Sequence, residues 1–101
     1  MTIVATSRWK VPNAATGQKW AKIALEHWRK SGATTGRVFR AMTGPNVGDW
    51  LFAVEFPDLA TFETARTAFR ARPDFAQMGE ELAKAGDIQM DAGFLEEITG
   101  L

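Results

Sequence analysis

Residues 49–56 predict a β-strand that is apolar on both of its faces, and this feature constrains the fold more than any other. One alternating set consists of Trp50, Phe52, Val54 and Phe56. Leu51 and Ala53 fill the positions between them, ahead of Glu55. Successive side chains of a strand point to opposite faces of the sheet. One face can therefore pack against helices of the same chain, whereas the other needs a second cover.

Three further segments show the alternation of apolar and polar residues that is typical of strands. The four predicted strands are residues 2–11, 36–43, 49–56 and 88–98. Turn residues at 44–48 join the second and third strands into a hairpin. Gly93 lies inside the last strand and predicts a bulge or bend there.

Two amphipathic helical regions separate these strands. The first covers residues 14–31, and the second begins after Asp58, which is a suitable N-cap residue. Pro73 interrupts the second region. Asp74 followed by Gln77 resembles a capping box that restarts the helix.

The order of elements is β-α-β-β-α-β, which predicts an α+β fold of the ferredoxin-like type. In this fold both helices lie on one face of a four-stranded antiparallel sheet, and residues 1–101 form a single domain. The opposite face of the sheet would then expose apolar residues. A second copy of the chain, related by a two-fold axis, is the simplest cover, so we expect a homodimer.

Composition excludes several classes of function. Lys plus Arg equals Asp plus Glu at 12 each, so no net positive field attracts nucleic acid or an anionic membrane. RNA binding on the sheet would also need a basic surround. The absence of cysteine excludes thiolate metal sites and thiol nucleophiles and fits a reducing compartment, so we expect a cytoplasmic protein. No stretch approaches the roughly 20 apolar residues of a membrane span.

The chain resembles the dimeric α/β-barrel superfamily over nearly its whole length. The resemblance rests on the element order, the strand at 49–56, the Pro57-Asp58 entry to the second helical region and the segment from Phe69 to Phe75. The superfamily includes cofactor-independent antibiotic-biosynthesis monooxygenases, haem-degrading monooxygenases, stress-responsive barrel proteins and NIPSNAP-like domains. The resemblance implies a ligand pocket between helices and sheet, and a dimer formed through the outer sheet faces. Haem-degrading members carry their haem-ligating histidine in the second helical region, where this chain has none.

His27 is the one histidine of the chain and the first candidate catalytic residue. Its position in the apolar arc of the first helix, with Trp20, Ile23 and Ala24, predicts a side chain that faces the sheet. With an ordinary pKa near ~6.5 it can act as a general base or proton donor. The alternative is a histidine at the edge of the core that bonds to the backbone. A single histidine without suitably spaced carboxylates predicts no metal site.

Four tryptophans are many for 101 residues, and aromatic side chains often line pockets for flat ligands. We predict that Trp9 and Trp50 shape the pocket, although core packing or the dimer interface would also explain them. Arg40 is the candidate that holds an anionic oxygen of the substrate. Arg8 and Arg37 are the other strand arginines, and Glu55 and Asp91 are the candidate carboxylate partners in an ion pair across the dimer.

Two hypotheses of function follow. The first is a small-molecule enzyme, a monooxygenase without a cofactor that acts on a planar aromatic or polyketide-like substrate. The alternative is a non-catalytic ligand-binding or stress-related homodimer. A polar cluster around His27 inside an open pocket would favour the enzyme, and a collapsed apolar pocket would favour the binding protein.

Overall fold

A computed structural model describes residues 2–101, and within that range the chain forms four strands and three helices. In chain order these are β1 (Ile3–Lys10), α1 (Ala14–Lys30), β2 (Thr35–Arg40), β3 (Trp50–Phe56), α2 (Leu59–Arg70), α3 (Phe75–Ala85) and β4 (Ile88–Glu96). The ends of the predicted strands and of α1 differ from these bounds by at most three residues. The second helical region is divided between α2 and α3 around Pro73, as its sequence predicts.

The four strands form one antiparallel sheet in the order β2-β3-β1-β4. The prediction of a ferredoxin-like fold is therefore confirmed. β1 and β3 lie at the centre and pair from Ile3 opposite Phe56 to Trp9 opposite Trp50. Because paired residues share a face, the alternating set that begins at Trp50 and the one that begins at Ile3 both point towards the helices.

Local capping agrees with the sequence at one helix and departs from it at another. The Asp58 carboxylate accepts hydrogen bonds from the backbone N–H and the hydroxyl of Thr61, both at 2.7 Å, so its predicted role as N-cap of α2 is confirmed. The capping box predicted for α3 is wrong. The Asp74 side chain makes no cap bond, because both of its oxygens accept from the Arg72 guanidinium at 2.9 and 3.0 Å.

The irregularity of β4 lies at Met90 and not at Gly93, so the bulge predicted at the glycine is wrong. Asp91 pairs with Arg8 and Gln89 pairs with Trp9, which leaves Met90 as the extra residue. Gly93 pairs regularly with Thr6. Pairing along the whole of β1 decides where the register shifts, and a glycine pattern within one strand does not contain that information.

The core occupies one end of the space between the sheet and the helices. Its buried centre consists of Ile3, Val54, Phe56 and Ala65. Trp28 of α1 and Phe62 of α2 pack against this centre, and the Phe56 ring lies edge-on to both of theirs. The opposite end of the same layer carries the site described next.

The face of the sheet without helices, called here the open face, exposes apolar side chains. Leu51 and Phe39 are cross-strand partners on this face and are 38% and 45% exposed. Leu95 of β4 lies opposite Val4 on the same face and is 59% exposed. Exposed apolar neighbours of this kind are characteristic of an interaction surface.

Candidate functional site

A cavity of about 160 Å³ lies between the sheet and the helices at the end away from the core. All four tryptophans of the chain belong to its lining. The full lining comprises Ser7, Trp9, Val11, Gly17, Trp20, Ala21, Ala24, Trp28, Trp50, Phe52, Phe69, Met78, Leu82 and Asp87. The sheet and the helices therefore enclose a cavity that is lined largely by aromatic side chains.

Strand register and helical spacing explain why the tryptophans meet. Trp9 and Trp50 are direct cross-strand partners and share the helix-facing side of the sheet. Trp20 and Trp28 are eight residues apart on α1 and so lie on one side of that helix. Gly17 lets the helix approach the sheet, since a Cβ atom there would lie 3.1 Å from Cη2 of Trp50.

Hydrogen bonds hold two of the indole rings in place. Nε1 of Trp9 donates to the Ser7 hydroxyl at 3.0 Å, and Nε1 of Trp20 donates to Oε1 of Glu81 at 3.3 Å. The same Glu81 oxygen accepts from Lys19 Nζ at 2.7 Å. This bond from Lys19 is the main reason that the pKa of Glu81 is lowered. Glu81 thus links α1 to α3 beside the cavity and fixes the orientation of Trp20.

Asp87 is the one ionisable residue in the lining of the cavity. Its Oδ1 is buried and has no hydrogen-bond partner within residues 2–101, the only side-chain atom of that range in this state. Burial raises the pKa of its carboxyl. A buried acceptor without a partner costs free energy, so such a group in a cavity is a candidate functional group.

The connection between α3 and β4 places this carboxyl. Gly86 ends α3 in the left-handed conformation with φ of 85°, which few residues other than glycine adopt. The backbone N–H of Asp87 then donates to the carbonyl of Leu82 at 2.9 Å. The turn thus fixes the main chain of Asp87 at the cavity, where Leu82 is also part of the lining.

The cavity can hold an aromatic ring and offer it one proton acceptor. Apolar cavities of roughly 150 Å³ take up benzene, so one ring fills a space of this size. A ring between indoles gains both burial and favourable stacking or edge contacts. Asp87 is the one residue of the lining whose side chain can accept a proton from such a ring.

A second, more open depression of about 440 Å³ adjoins the cavity between α1 and β2. Trp50 and Ala21 belong to both linings. The depression, called here the basic groove, is lined by Gln18, Ala21, Lys22, Leu25, Arg29, Val38, Phe39, Arg40 and Trp50. The candidate residue Arg40 lies in this groove beside Trp50, its cross-strand partner, and not in the lining of the cavity.

His27 faces inward and is 9% exposed, which confirms the predicted orientation. It does not belong to the lining of the cavity, because Trp28 and Phe69, whose rings contact its imidazole, form the wall on that side. Its Nε2 lies 3.1 Å from the carbonyl oxygen of Ala65, which can only accept, so Nε2 carries a proton. Nδ1 lies 3.4 Å from the Arg72 guanidinium, which can only donate. These contacts support the alternative of a histidine bonded to the backbone, and its catalytic role stays a prediction.

Arg8 forms an ion pair within the chain, away from the cavity. Its guanidinium contacts Asp91 and Asp49, each at 2.7 Å, so the partner expected across a dimer lies on the neighbouring strand instead. Asp49, which is 4% exposed, also accepts from Lys10 at 3.3 Å. The hydrogen bond from Arg8 is the main reason that the pKa of Asp49 is lowered. This network joins β1, β4 and the segment that precedes β3.

Sequence reasoning did not identify Asp87. The available signal was a carboxylate placed directly after a helix-ending glycine, in a segment that then becomes a strand. That pattern is common at ordinary turns and does not indicate a site by itself. Within residues 2–101 no cluster of three or more metal-binding side chains occurs, and no helix there has the length and apolar character of a membrane span.

No family model and no curated protein matches the sequence. Solved structures match it closely in shape. SnoaB from Streptomyces nogalater, a cofactor-independent oxygenase, has a TM-score of 0.73 and 15% identity over 99% of this chain and 96% of its own. A dimeric ferredoxin-like protein from an uncultured marine organism has a TM-score of 0.71 and 12% identity, covering 99% of this chain and 98% of its own. A proposed monooxygenase from Shewanella loihica has a TM-score of 0.70 and 13% identity, covering 96% and 94%. At these identities the likeness establishes the ferredoxin-like fold alone.

Proposed function

We propose that this protein is a cofactor-independent oxygenase that acts on a small aromatic substrate bound in the tryptophan-lined cavity. The observation that carries the proposal is the unpartnered Oδ1 of Asp87 in a cavity whose lining contains no other ionisable group. The similarity in fold to SnoaB, an oxygenase of this class, supports the same function.

In this proposal Trp9 and Trp50 bind the faces or edges of the ring, and Asp87 accepts a proton from the substrate. Removal of a proton from an activated CH₂ group or a phenol leaves an electron-rich anion that can reduce O₂. For a CH₂ group, one oxygen atom becomes the new carbonyl oxygen and the other leaves as water, so the substrate supplies all the electrons. A carboxyl whose pKa is raised towards the working pH is a better match for such proton transfer.

The size of the cavity limits the substrate. At about 160 Å³ it is smaller than the ~300–1,000 Å³ of most ligand pockets. One ring fits inside, and further rings or substituents of a polyketide-like substrate would extend towards the basic groove past Trp50. We therefore propose that the reacting position lies on the enclosed ring, next to Asp87.

Oxygen consumption tests this function directly. The purified protein is mixed with 1-naphthol or 1,8-dihydroxyanthrone in an oxygen electrode, and the products are identified by mass spectrometry after reaction in ¹⁸O₂. We expect turnover by the wild type and a loss of about 10²-fold or more in Asp87→Asn, the typical value of positioned proton transfer. Glu80→Gln, which removes a carboxylate from the exposed surface of α3, is the matched control and should keep full activity.

The alternative function is sequestration of an aromatic compound without chemistry, and the almost wholly apolar lining favours it. The same assay separates the two. Binding of the ring by calorimetry together with no oxygen uptake above the rate without enzyme would support sequestration. Incorporation of ¹⁸O that depends on Asp87 would support the oxygenase.

We further propose that the protein works as a homodimer that pairs through the open face. The exposed apolar pair Leu51 and Phe39 supports this arrangement, as does the similarity to a dimeric ferredoxin-like protein. Light scattering should give twice the mass of one chain. Leu51→Glu should shift the protein to monomer, whereas Leu59→Glu, at an exposed leucine on α2, should not. A wild-type monomer at micromolar concentration would contradict this proposal.

Absence of cysteine is consistent with the cytoplasmic location that we propose.

A further inference from the structure

The basic groove carries charge of one sign beside the aromatic cavity. Its lining contains Lys22, Arg29 and Arg40 but no carboxylate. The chain as a whole is balanced at 12 positive and 12 negative residues, so this local excess does not follow from composition. Lys22 and Arg29 lie seven residues apart on α1 and therefore on the same side of the helix, facing β2 and its last residue, Arg40.

The three cations have no carboxylate partner within residues 2–101. The nearby Glu26 pairs instead with Lys30 at 2.9 Å, although Lys22 also contributes to lowering its pKa. Arg29 donates to the carbonyl oxygen of Gly36 at 3.1 Å, which fixes the guanidinium without neutralising it. No carboxylate among residues 2–101 therefore pairs with the cations of the groove.

The basic groove and the aromatic cavity share part of their lining, so the cations of the groove lie close to a ligand bound in the cavity. Trp50 and Ala21 line both spaces, so the groove lies directly beside the cavity. The cavity has room for about one ring, and the groove offers about 440 Å³ for the remainder of the molecule. Cations aligned along such a path bind an oxyanion through charge-assisted hydrogen bonds.

We infer that the substrate carries an anionic group, most simply a carboxylate on a short side chain of the aromatic ring, and that Lys22 and Arg40 bind it in the basic groove. This inference rests on the proposed function, because it assumes that the ring occupies the cavity. It adds to that function a substrate class: an aromatic acid, bound ring first, with its carboxylate held outside the cavity. Arg40 then discriminates among substrates and takes no part in the chemistry at Asp87.

Matched ligands test the inference. Calorimetry at low salt compares 2-naphthylacetate with 2-naphthylacetamide, which has the same shape without the charge. We expect the wild type to bind the acid about fivefold more tightly, equivalent to about 1 kcal/mol and reasonable for solvent-exposed ion pairs. The preference should fall towards one in 0.5 M NaCl, because salt screens exposed charges.

A double variant assigns the effect to the groove. Lys22→Gln combined with Arg40→Gln should lose the preference for the acid and keep the wild-type affinity for the amide. Arg70→Gln combined with Lys84→Gln removes the same charge from exposed positions on α2 and α3 and should keep the preference. Thermal melts check that both double variants are folded.

Three results would overturn the inference. Equal binding of acid and amide by the wild type would show that the groove does not bind the anion, while the aromatic cavity and the oxygenase proposal would stand. A preference that survives in the groove variant would assign anion binding elsewhere. Failure of the wild type to bind either ligand would show that the cavity does not bind an aromatic ring. That result would overturn both this inference and the function on which it rests.

Discussion

Asp87→Asn should make the protein more stable at neutral pH while it removes activity. The wild-type carboxylate holds Oδ1 in a buried position without a partner, next to indole and aliphatic side chains. Replacing it by the amide keeps the shape and removes the charge. A gain in stability on loss of a charged group identifies a residue that is retained for function at the expense of the fold.

The magnitude follows from the burial of one oxygen. An unsatisfied buried polar group costs about 1–3 kcal/mol. Asp87 is only partly buried and the amide still leaves its own polar atoms in the site, so the lower end of that range, about 1 kcal/mol, is the expected gain. For a domain of this size 1 kcal/mol corresponds to about 4–8 °C in melting temperature.

The pH dependence has a definite sign. Burial raises the pKa of Asp87 in the folded state, so the folded protein binds this proton more tightly than the unfolded chain does. The wild type is therefore favoured below the unfolded pKa and loses this contribution as pH rises through the folded pKa. The advantage of the Asn variant should be largest at pH 7–8 and should disappear near the ordinary Asp pKa of 3.8.

Urea unfolding of both proteins at several pH values between 3.5 and 8 measures this difference. Glu80→Gln is again the control and should change the free energy of unfolding little at any pH. An Asn variant that is equally stable or less stable than wild type at pH 7.5 would mean that Oδ1 has a partner in solution. In that case the carboxyl would not be available to a ligand, and its proposed role as proton acceptor would fail.

Three further predictions concern one residue of the cavity lining and two residues that lie outside it. Gly17→Ala should destabilise the fold by about 1 kcal/mol or more and weaken ligand binding, because the added Cβ would lie 2.5 Å from Val11 and 3.1 Å from Trp50. Thermal melts measure the loss of stability and calorimetry measures the loss of affinity. An unchanged affinity would contradict the close packing. His27→Gln should lower stability by about 1 kcal/mol through a poorer hydrogen bond to Ala65, and oxygen uptake should be retained. Loss of most turnover with an unchanged melting temperature would instead support the catalytic role of His27. Glu81→Gln should lower the melting temperature at pH 7, because the bond from Lys19 lowers the pKa of Glu81 and stabilises the charged form. This contribution to stability is lost as pH falls below 4.5, the ordinary pKa of Glu. A difference in melting temperature that persists at pH 3 would therefore point to packing and not to charge.

Periodicity along the chain was sufficient to predict the elements, their order and the inward face of α1. The alternation in residues 49–56 separated the side chains of β3 into two sets on opposite faces without predicting which set faces the helices, and helical spacing predicted the burial of His27. Asp58 marked the start of the second helical region, and Pro73 marked the break within it. All of these depend on residues within a few positions of one another, so local sequence determines them.

The site itself depends on contacts between distant segments. Trp9 and Trp50 are 41 residues apart and meet only through the register of β1 against β3. That register also places Arg40 beside Trp50 through β2, while the pairing of β4 puts the bulge at Met90. Asp87 becomes an unpartnered carboxyl only because α1, α3 and the sheet enclose it together. A local pattern specifies the face on which a side chain lies, and tertiary packing decides whether that face meets core, solvent or an enclosed cavity.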